Sequence, residues 1–155
     1  MFDGRIAEDF KLLSGTWVSV GPLRARIIAA GAPHVQDVVI AGHDRDDVTA
    51  ILIPTVDAGR DMDAASLHAH FQRMIDQLAT SATGSSTRIA RALWLDPARD
   101  APLSIDAGEV TDKGSINQRA LLRTRAALVQ LLYAAPYDAR VLCANCARYR
   151  YSDRS

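Results

Sequence analysis

The sequence predicts a small α+β domain: a three-stranded sheet with flanking helices and an N-terminal hairpin. Two observations predict this fold class. β-Branched runs alternate with segments of helical periodicity, and turn residues separate each run from the next. At 155 residues the chain has the size of one ordinary domain. We therefore expect one domain over residues 1–134 and a loosely ordered tail over residues 135–155.

The first part of the chain predicts a hairpin followed by a short helix. Residues 2–20 hold short apolar stretches between turn residues, and Ser14-Gly15-Thr16 forms the predicted tip. Pro22 suits the first turn of a helix, and Gly31 is a residue that commonly ends one.

Residues 35–41 and 49–54 are β-branched runs, so they predict paired strands. The polar loop between them carries three aspartates at 44, 46 and 47, a composition that also occurs in calcium loops. It lacks the glycine and the distal glutamate of a helix-loop-helix calcium site, so we interpret it as a solvated hairpin loop.

The second half predicts two further helices and a third strand. Asp63 can cap a helix whose apolar residues share one face. His68 and His70 stand two residues apart on that helix and point in different directions, so we do not expect them to share a metal. Residues 88–95 predict a strand, and residues 116–133 predict a last helix after a loop.

Charge and hydropathy exclude several classes of function. The chain has 18 basic and 18 acidic residues and zero formal net charge, so no basic excess favours nucleic acid or an anionic membrane as a partner. No apolar run reaches the roughly 18 residues of a membrane span, and the first residues lack the pattern of a signal peptide. We therefore expect a cytoplasmic location.

The cysteines Cys143 and Cys146 form a Cys-x-x-Cys pair. A metal site needs about four ligands and a redox pair needs a following helix, and the sequence around the pair predicts neither. We interpret them as two reduced thiols in the tail, and we predict no metal site. A thiol-redox protein built on this pair remains an alternative.

Three segments resemble the carboxyl-terminal domain of AMP-forming acyl-CoA ligases. The motif that opens that domain is similar to three parts of this chain: residues 2–5 (Phe-Asp-Gly-Arg), Lys11, and residues 15–21 (Gly-Thr-Trp-Val-Ser-Val-Gly). Residues 108–119 (Gly-Glu-Val-Thr-Asp-Lys-Gly-Ser-Ile-Asn-Gln-Arg) are similar to the last core motif in its feruloyl-CoA synthase form. Residues 84–88 (Gly-Ser-Ser-Thr-Arg) are also similar to that subgroup.

The resemblance implies a two-step ligase that adenylates a carboxylic acid with ATP and Mg²⁺ and then passes the acyl group to CoA. The carboxyl-terminal domain swings between the steps like a lid. Arg5 would lie by the nucleotide ribose, and Ala7 and Glu8 would occupy the hinge. Lys113 would supply the cation for adenylation.

The resemblance also implies a CoA-binding role for Gly15, Thr16 and Trp17 at the hairpin tip, where Gly15 would let the backbone approach pantetheine. Without the family, Gly15 is an ordinary turn glycine and Trp17 is more commonly a core residue. Most family members place the catalytic lysine where this chain has Ser115. Lys113, one of only two lysines, lies two residues earlier, so a subgroup that has dispensed with the cation is the alternative.

The phosphate loop and the acyl pocket of such a ligase belong to a large amino-terminal domain. We therefore expect that this domain is the missing partner, in cis or as a split subunit, and that the chain alone is inactive. A stand-alone α+β binding or regulatory module, in which the motif glycines are only turns, is the main alternative. The ligase interpretation requires Arg5, Gly15 and Lys113 to lie on exposed edges.

Overall fold

The computed structural model describes residues 9–82, 84, 87–134 and 137–144. A short hairpin precedes a four-stranded sheet of order β3-β4-β5-β6, in which β4 and β5 are parallel and the other neighbours are antiparallel. The elements in chain order are β1 (Phe10–Lys11), β2 (Trp17–Val18), α1 (Val20–Gly31), β3 (Val35–Ala41), β4 (Val48–Pro54), α2 (Val56–Asp61), α3 (Ala64–Ser81), β5 (Ile89–Trp94), α4 (Gln118–Thr124), α5 (Ala126–Tyr133) and β6 (Leu142–Cys143).

The predicted fold class is confirmed, but the sheet has four strands and not three. The fourth strand, β6, comes from the segment that we predicted to be a loose tail. Leu142 is fully buried, and the backbone N–H of Ala144 donates to the carbonyl of Ala90 at 2.9 Å. A strand of two residues is too short to show periodicity in the sequence. Its pairing partner, β5, lies about 50 residues earlier, so the local sequence does not reveal the pair.

Helices cover both faces of the sheet. Residues on one face pack with α1 and α3, and residues on the other face pack with α4 and α5. The alternation is visible in β4, where Ala50 and Leu52 join the first cluster and Ile51 and Ile53 join the second. A strand buried on both faces reads as a continuous apolar run, which is the pattern of residues 50–53.

The last predicted helix is broken in two at Arg125. This residue has a non-helical backbone, with ψ of 31°, and its guanidinium donates hydrogen bonds to Glu109 and to the carbonyl of Pro102. Prediction also missed α2, a helix of six residues whose N-cap Thr55 accepts a hydrogen bond from the N–H of Ala58. The predicted cap at Asp63 is confirmed, since its carboxylate accepts from the N–H of Ser66 at 2.8 Å.

Gln118 joins α4 to the free edge of the sheet. Its side-chain oxygen accepts from the N–H of Ile40 at 2.9 Å, and its side-chain nitrogen donates to the carbonyl of Val38 at 2.7 Å. These bonds satisfy backbone groups of the edge strand β3 that no neighbouring strand reaches. The first turn of α4, at the end of the motif of residues 108–119, is thereby fixed against the sheet.

Candidate functional site

The hairpin of β1 and β2 ends in a tight turn at the predicted tip. The N–H of Leu12 donates to the carbonyl of Thr16, and the N–H of Gly15 donates to the carbonyl of Leu12, both at 2.9 Å. Gly15 has a φ of +89°, and a Cβ built on it would meet no atom within 4 Å. The backbone conformation, and not crowding within this chain, is what favours glycine here.

Two large apolar side chains project into solvent beside this tip. Leu13 is 65% exposed and Trp17 is 52% exposed, whereas Leu12 and Val18 lie in the core. The ammonium of Lys11 stands 5.8 Å from the centre of the Trp17 ring. Trp17 therefore does not lie in the core, where a strand tryptophan more commonly lies. Leu13 was missed by the sequence analysis, although strict alternation along the hairpin would have placed it on the exposed side.

The hairpin is fixed to the loop between β3 and β4. The N–H of Leu13 donates to the carbonyl of Arg45 at 2.8 Å, and the N–H of Asp44 donates to the carbonyl of Lys11 at 3.1 Å. In the same loop Asp47 forms an ion pair with Arg91 at 2.6 Å. The loop connects the antiparallel strands β3 and β4 as a hairpin, as we expected, and its Asp47 binds Arg91. Among the described residues no group of three or more His, Cys, Asp or Glu side chains could hold a metal ion.

Lys113 lies in a second, smaller hairpin. Val110 pairs with Ile116, the N–H of Thr111 donates to the carbonyl of Ser115, and the turn closes with a bond from Gly114 to Thr111. Gly114 has a φ of +88°. Lys113 is exposed in this turn. The residue that carries the candidate cation is thus held by a defined backbone while its side chain faces solvent.

Glu109 anchors the base of the Lys113 hairpin. Its carboxylate accepts hydrogen bonds from Nε and Nη2 of Arg125 at 2.8 and 3.0 Å, from the N–H of Ser104 at 3.0 Å and from the hydroxyl of Thr124. Burial alone would raise the pKa of Glu109, but the bonds from Arg125, Thr124 and Ser104 outweigh it and hold that pKa below its ordinary value. Glu109 lies within the motif of residues 108–119, but the sequence alone did not predict a role for it.

The structure brings Gly15, Thr16 and Trp17 together at one hairpin and places Lys113 on another. Gly15 and Lys113 are both exposed, as the ligase interpretation requires. Arg5, Ala7 and Glu8 lie outside the described residues, so their predicted roles remain predictions. The first described residue, Asp9, accepts a hydrogen bond at 2.9 Å from the N–H of Val20, the first residue of α1.

A separate groove lies at the carboxyl ends of β4 and β5. It has a volume of about 750 Å³ and is lined mainly by apolar side chains, among them Ile53, Leu67, Trp94 and Leu95. None of the predicted site residues that the structure describes lines it. The β1–β2 hairpin packs at the other end of β4, so the groove does not belong to the predicted CoA-binding site.

The interpretation of the cysteines as reduced thiols is wrong for Cys143, which is disulfide-bonded. Cys143 lies in β6 and is buried, so the sulfur is held within the sheet and not in a loose tail. Cys146 lies outside the described residues. No helix in the part of the chain that the structure describes is long and apolar enough to cross a membrane.

Solved structures of adenylation domains share this fold. The A domain of the carboxylate reductase GR01_22995 from Mycobacterium chelonae matches 83% of this chain with a TM-score of 0.63 and 24% identity. The A-PCP didomain of the carboxylic acid reductase from Segniliparus rugosus, in complex with AMP, matches 81% with a TM-score of 0.62 and 20% identity. At these identities the likeness shows the fold alone.

The sequence itself shows the family. The family model described as AMP-binding enzyme C-terminal domain matches residues 9–136. The chain therefore belongs to that family. It spans about a fifth of the length of the similar solved structures, 17% of the didomain and 20% of the A domain. No curated protein matches the chain.

Proposed function

We propose that this chain is the lid of an AMP-forming acyl-CoA ligase of the feruloyl-CoA synthase type, and that it is inactive without an amino-terminal adenylation domain. The supporting observation is that Gly15 and Lys113 stand on two different exposed hairpins of one domain. A lid that serves two half-reactions needs two separate presenting surfaces. The substrates of the complete enzyme are ATP with Mg²⁺, a carboxylic acid and CoA.

In the first half-reaction Lys113 approaches the bound nucleotide. Negative charge develops between the carboxylate and the α-phosphate, and an ammonium in a site closed to water stabilises it by several kcal/mol. Ser115, at the usual lysine position, has only a neutral hydroxyl. The four-carbon side chain of Lys113 spans the displacement of two residues, and the Gly114 turn lets the hairpin tip approach closely.

In the second half-reaction the hairpin of β1 and β2 faces the acyl adenylate. Gly15 has no side chain, so pantetheine can lie against the backbone of the tip, while Trp17 and Leu13 offer apolar surface to it. The assignment of a hydroxycinnamic acid as the acyl substrate is supported only by the likeness of residues 84–88 and 108–119 to the subgroup. A similar solved structure, the A domain of the carboxylic acid reductase from Segniliparus rugosus, is in complex with AMP and a co-purified carboxylic acid. These two ligands are consistent with a reaction that adenylates a carboxylic acid.

The proposal is tested by measuring the two half-reactions separately in a protein that joins this chain to an amino-terminal adenylation domain. Lys113→Ala should lower adenylate formation by about 10² or more, as removal of one oriented electrostatic donor does elsewhere. Transfer from preformed adenylate to CoA should survive. Asp112→Ala, on the same exposed turn, is the matched control and should leave adenylation unchanged.

Variants of the β1–β2 hairpin should affect only the second half-reaction. Gly15→Trp should block thioester formation while adenylation remains nearly intact, because only the second step uses that surface. Gly15→Ala strains the same positive φ without the bulk and should retain most of the transfer.

Normal adenylation by Lys113→Ala would remove Lys113 from the mechanism. Equal loss of both steps in Gly15→Trp would indicate misfolding. Ferulate-dependent pyrophosphate release by the chain alone would contradict the lid assignment.

A further inference from the structure

The tip of the Lys113 hairpin depends on its base for its direction. Residues 111–115 are all exposed, so packing of the tip itself contributes little to where it points. Within the turn, the N–H of Ser115 donates to the hydroxyl of Thr111 at 3.0 Å, beside the backbone bonds described above. Bonds inside a turn fix its shape but not its orientation on the domain. The orientation is therefore set where the two arms of the hairpin join the domain.

Each arm of the hairpin is attached by a buried polar side chain. Among the described residues, two of the three buried polar or charged residues, Glu109 and Gln118, lie at this base. On the outgoing arm, Gln118 is bonded to the edge of β3. On the incoming arm, the N–H of Glu109 donates to the carbonyl of Ser104 at 3.0 Å, and its carbonyl accepts from the N–H of Asn117 at 2.9 Å. Glu109 thus joins the hairpin to the loop after β5 and to the start of α4.

The ion pair between Glu109 and Arg125 has a fixed geometry that stability alone does not require. The Glu109 carboxylate is buried, the Arg125 side chain is 11% exposed, and Nε and Nη2 of the guanidinium both bond the carboxylate. An apolar pair of similar volume often stabilises a core equally well or better, because it has no charge to desolvate. A bidentate pair, in contrast, fixes both the distance and the angle between the segments that it joins.

We propose that Glu109, through its bidentate bond to Arg125, is a positioning residue that orients the Lys113 hairpin for adenylation. This inference rests on the proposed function of Lys113. A fixed charge stabilises a developing charge best when it is in place before the reaction. Lys113 lies four residues after Glu109, up to roughly 13 Å of extended chain, so a rotation of about 10° at the base moves the tip by roughly 2 Å. A misplacement of about 1 Å can lower a rate by about 10².

The first experiment measures the order of the hairpin in the isolated chain, so it does not depend on any activity. In the parent chain the backbone amides of residues 110–116 should have ¹⁵N order parameters of about 0.85. Glu109→Gln, which keeps the shape and removes the charge, should lower them below about 0.6. Asp37→Asn is the matched control, because Asp37 of β3 likewise accepts from Nε and Nη2 of an arginine, Arg24. It should leave the hairpin unchanged.

The second experiment is a double-variant cycle in the protein that joins this chain to an amino-terminal adenylation domain. Glu109→Gln should lower kcat for adenylate formation by about tenfold or more, with KM for ATP and transfer to CoA unchanged. In the Lys113→Ala background the same substitution should cause no further loss, because a positioning residue acts only through the residue that it positions. Asp37→Asn should retain the kcat of the parent protein.

A second variant keeps both measurements decisive if Glu109→Gln fails to fold. The double variant Glu109→Met/Arg125→Met replaces the ion pair by apolar side chains, and it should show the same mobile hairpin and slow adenylation. An unchanged hairpin in the folded variants, or equal losses of adenylation with and without Lys113, would overturn the positioning role. Slow adenylation in Lys113→Ala with a normal rate in Glu109→Gln would overturn the positioning role alone. Normal adenylation in Lys113→Ala would overturn the proposed role of Lys113, and the role of Glu109 with it.

Discussion

Glu109 combines deep burial with a full set of hydrogen-bond donors. It is 2% exposed and is the buried carboxylate among the described residues. A buried charge is stable only when it is paired and hydrogen-bonded. The contacts to Arg125, Thr124 and Ser104 meet that condition. They also connect the base of the Lys113 hairpin to the junction of α4 and α5.

We therefore expect Glu109→Ala to destabilise the chain by about 3 kcal/mol or more, because it leaves the guanidinium of Arg125 buried without its counter-charge. Asp112→Ala, an exposed acidic residue of the same hairpin, should change the free energy of unfolding by less than about 0.5 kcal/mol. Urea denaturation of both variants measures the difference. Equal small effects would mean that the Glu109 pair contributes nothing net.

Two histidines predict a pH dependence of stability. Burial lowers the pKa of His68, and burial, then His34 and Arg73, lower the pKa of His70 below its ordinary value of 6.5. The unfolded chain therefore binds these protons at a higher pH than the folded chain does. Stability should be fully present above about pH 6.5 and should fall as the pH drops through the folded pKa values.

Urea denaturation at pH 7.5 and pH 5.5, with EDTA present, measures this loss. The double variant His68→Gln/His70→Gln should show a smaller loss between these two pH values. The paired carboxylates Glu109 and Asp100 have lowered pKa values and act in a separate acidic range, so they do not account for a change above pH 5. An unchanged pH dependence in the double variant would contradict the assignment.

At the scale of elements, the contact between α4 and the edge of β3 depends on Gln118. Gln118→Ala should cost about 2 kcal/mol, since the N–H of Ile40 and the carbonyl of Val38 then lose their partner inside the protein. Gln130→Ala, on the exposed side of α5, should have little effect. Hydrogen exchange at the Ile40 amide should accelerate in Gln118→Ala alone. Unchanged protection of that amide would show that the bond is dispensable.

Elements that the sequence analysis missed are short or depend on a distant partner. α2 has six residues, too few for helical periodicity to be visible. The break between α4 and α5 at Arg125 falls within a continuous helical pattern, and the residue that Arg125 binds there, Glu109, lies 16 residues earlier in the chain. Longer elements were predicted because their signal is local: β3 and β4 are β-branched runs, and α3 has apolar residues at helical spacing.

At the scale of the whole molecule, the closed core predicts independent folding. Helices cover both faces of the sheet, so the described part of the chain has no bare sheet face that a second domain must cover. We expect the isolated chain to unfold in a single cooperative transition. Circular dichroism and tryptophan emission should report the same midpoint.

The two tryptophans differ in exposure, so removing the exposed one makes the emission report on the core. Trp94 is 8% exposed and Trp17 is 52% exposed. In the variant Trp17→Phe the remaining emission comes from the core, so it should shift to longer wavelength together with the loss of helical signal. Separate midpoints for the two signals would show that the core does not unfold as one unit, and absence of any transition would show that the chain needs a partner to fold.

The sequence by itself determined the family, the fold class and the hairpin turn at Gly15. These features are encoded locally, in the helical periodicity of α3, in the β-branched runs of β3 and β4 and in turn residues such as Gly15. Tertiary structure alone decided that β6 joins the sheet, that Glu109 holds the base of the Lys113 hairpin and that His34 meets His70. Each of these contacts joins residues far apart along the chain or on different elements. Only the packing of the two helical layers onto the sheet brings such residues together, and no local pattern records it.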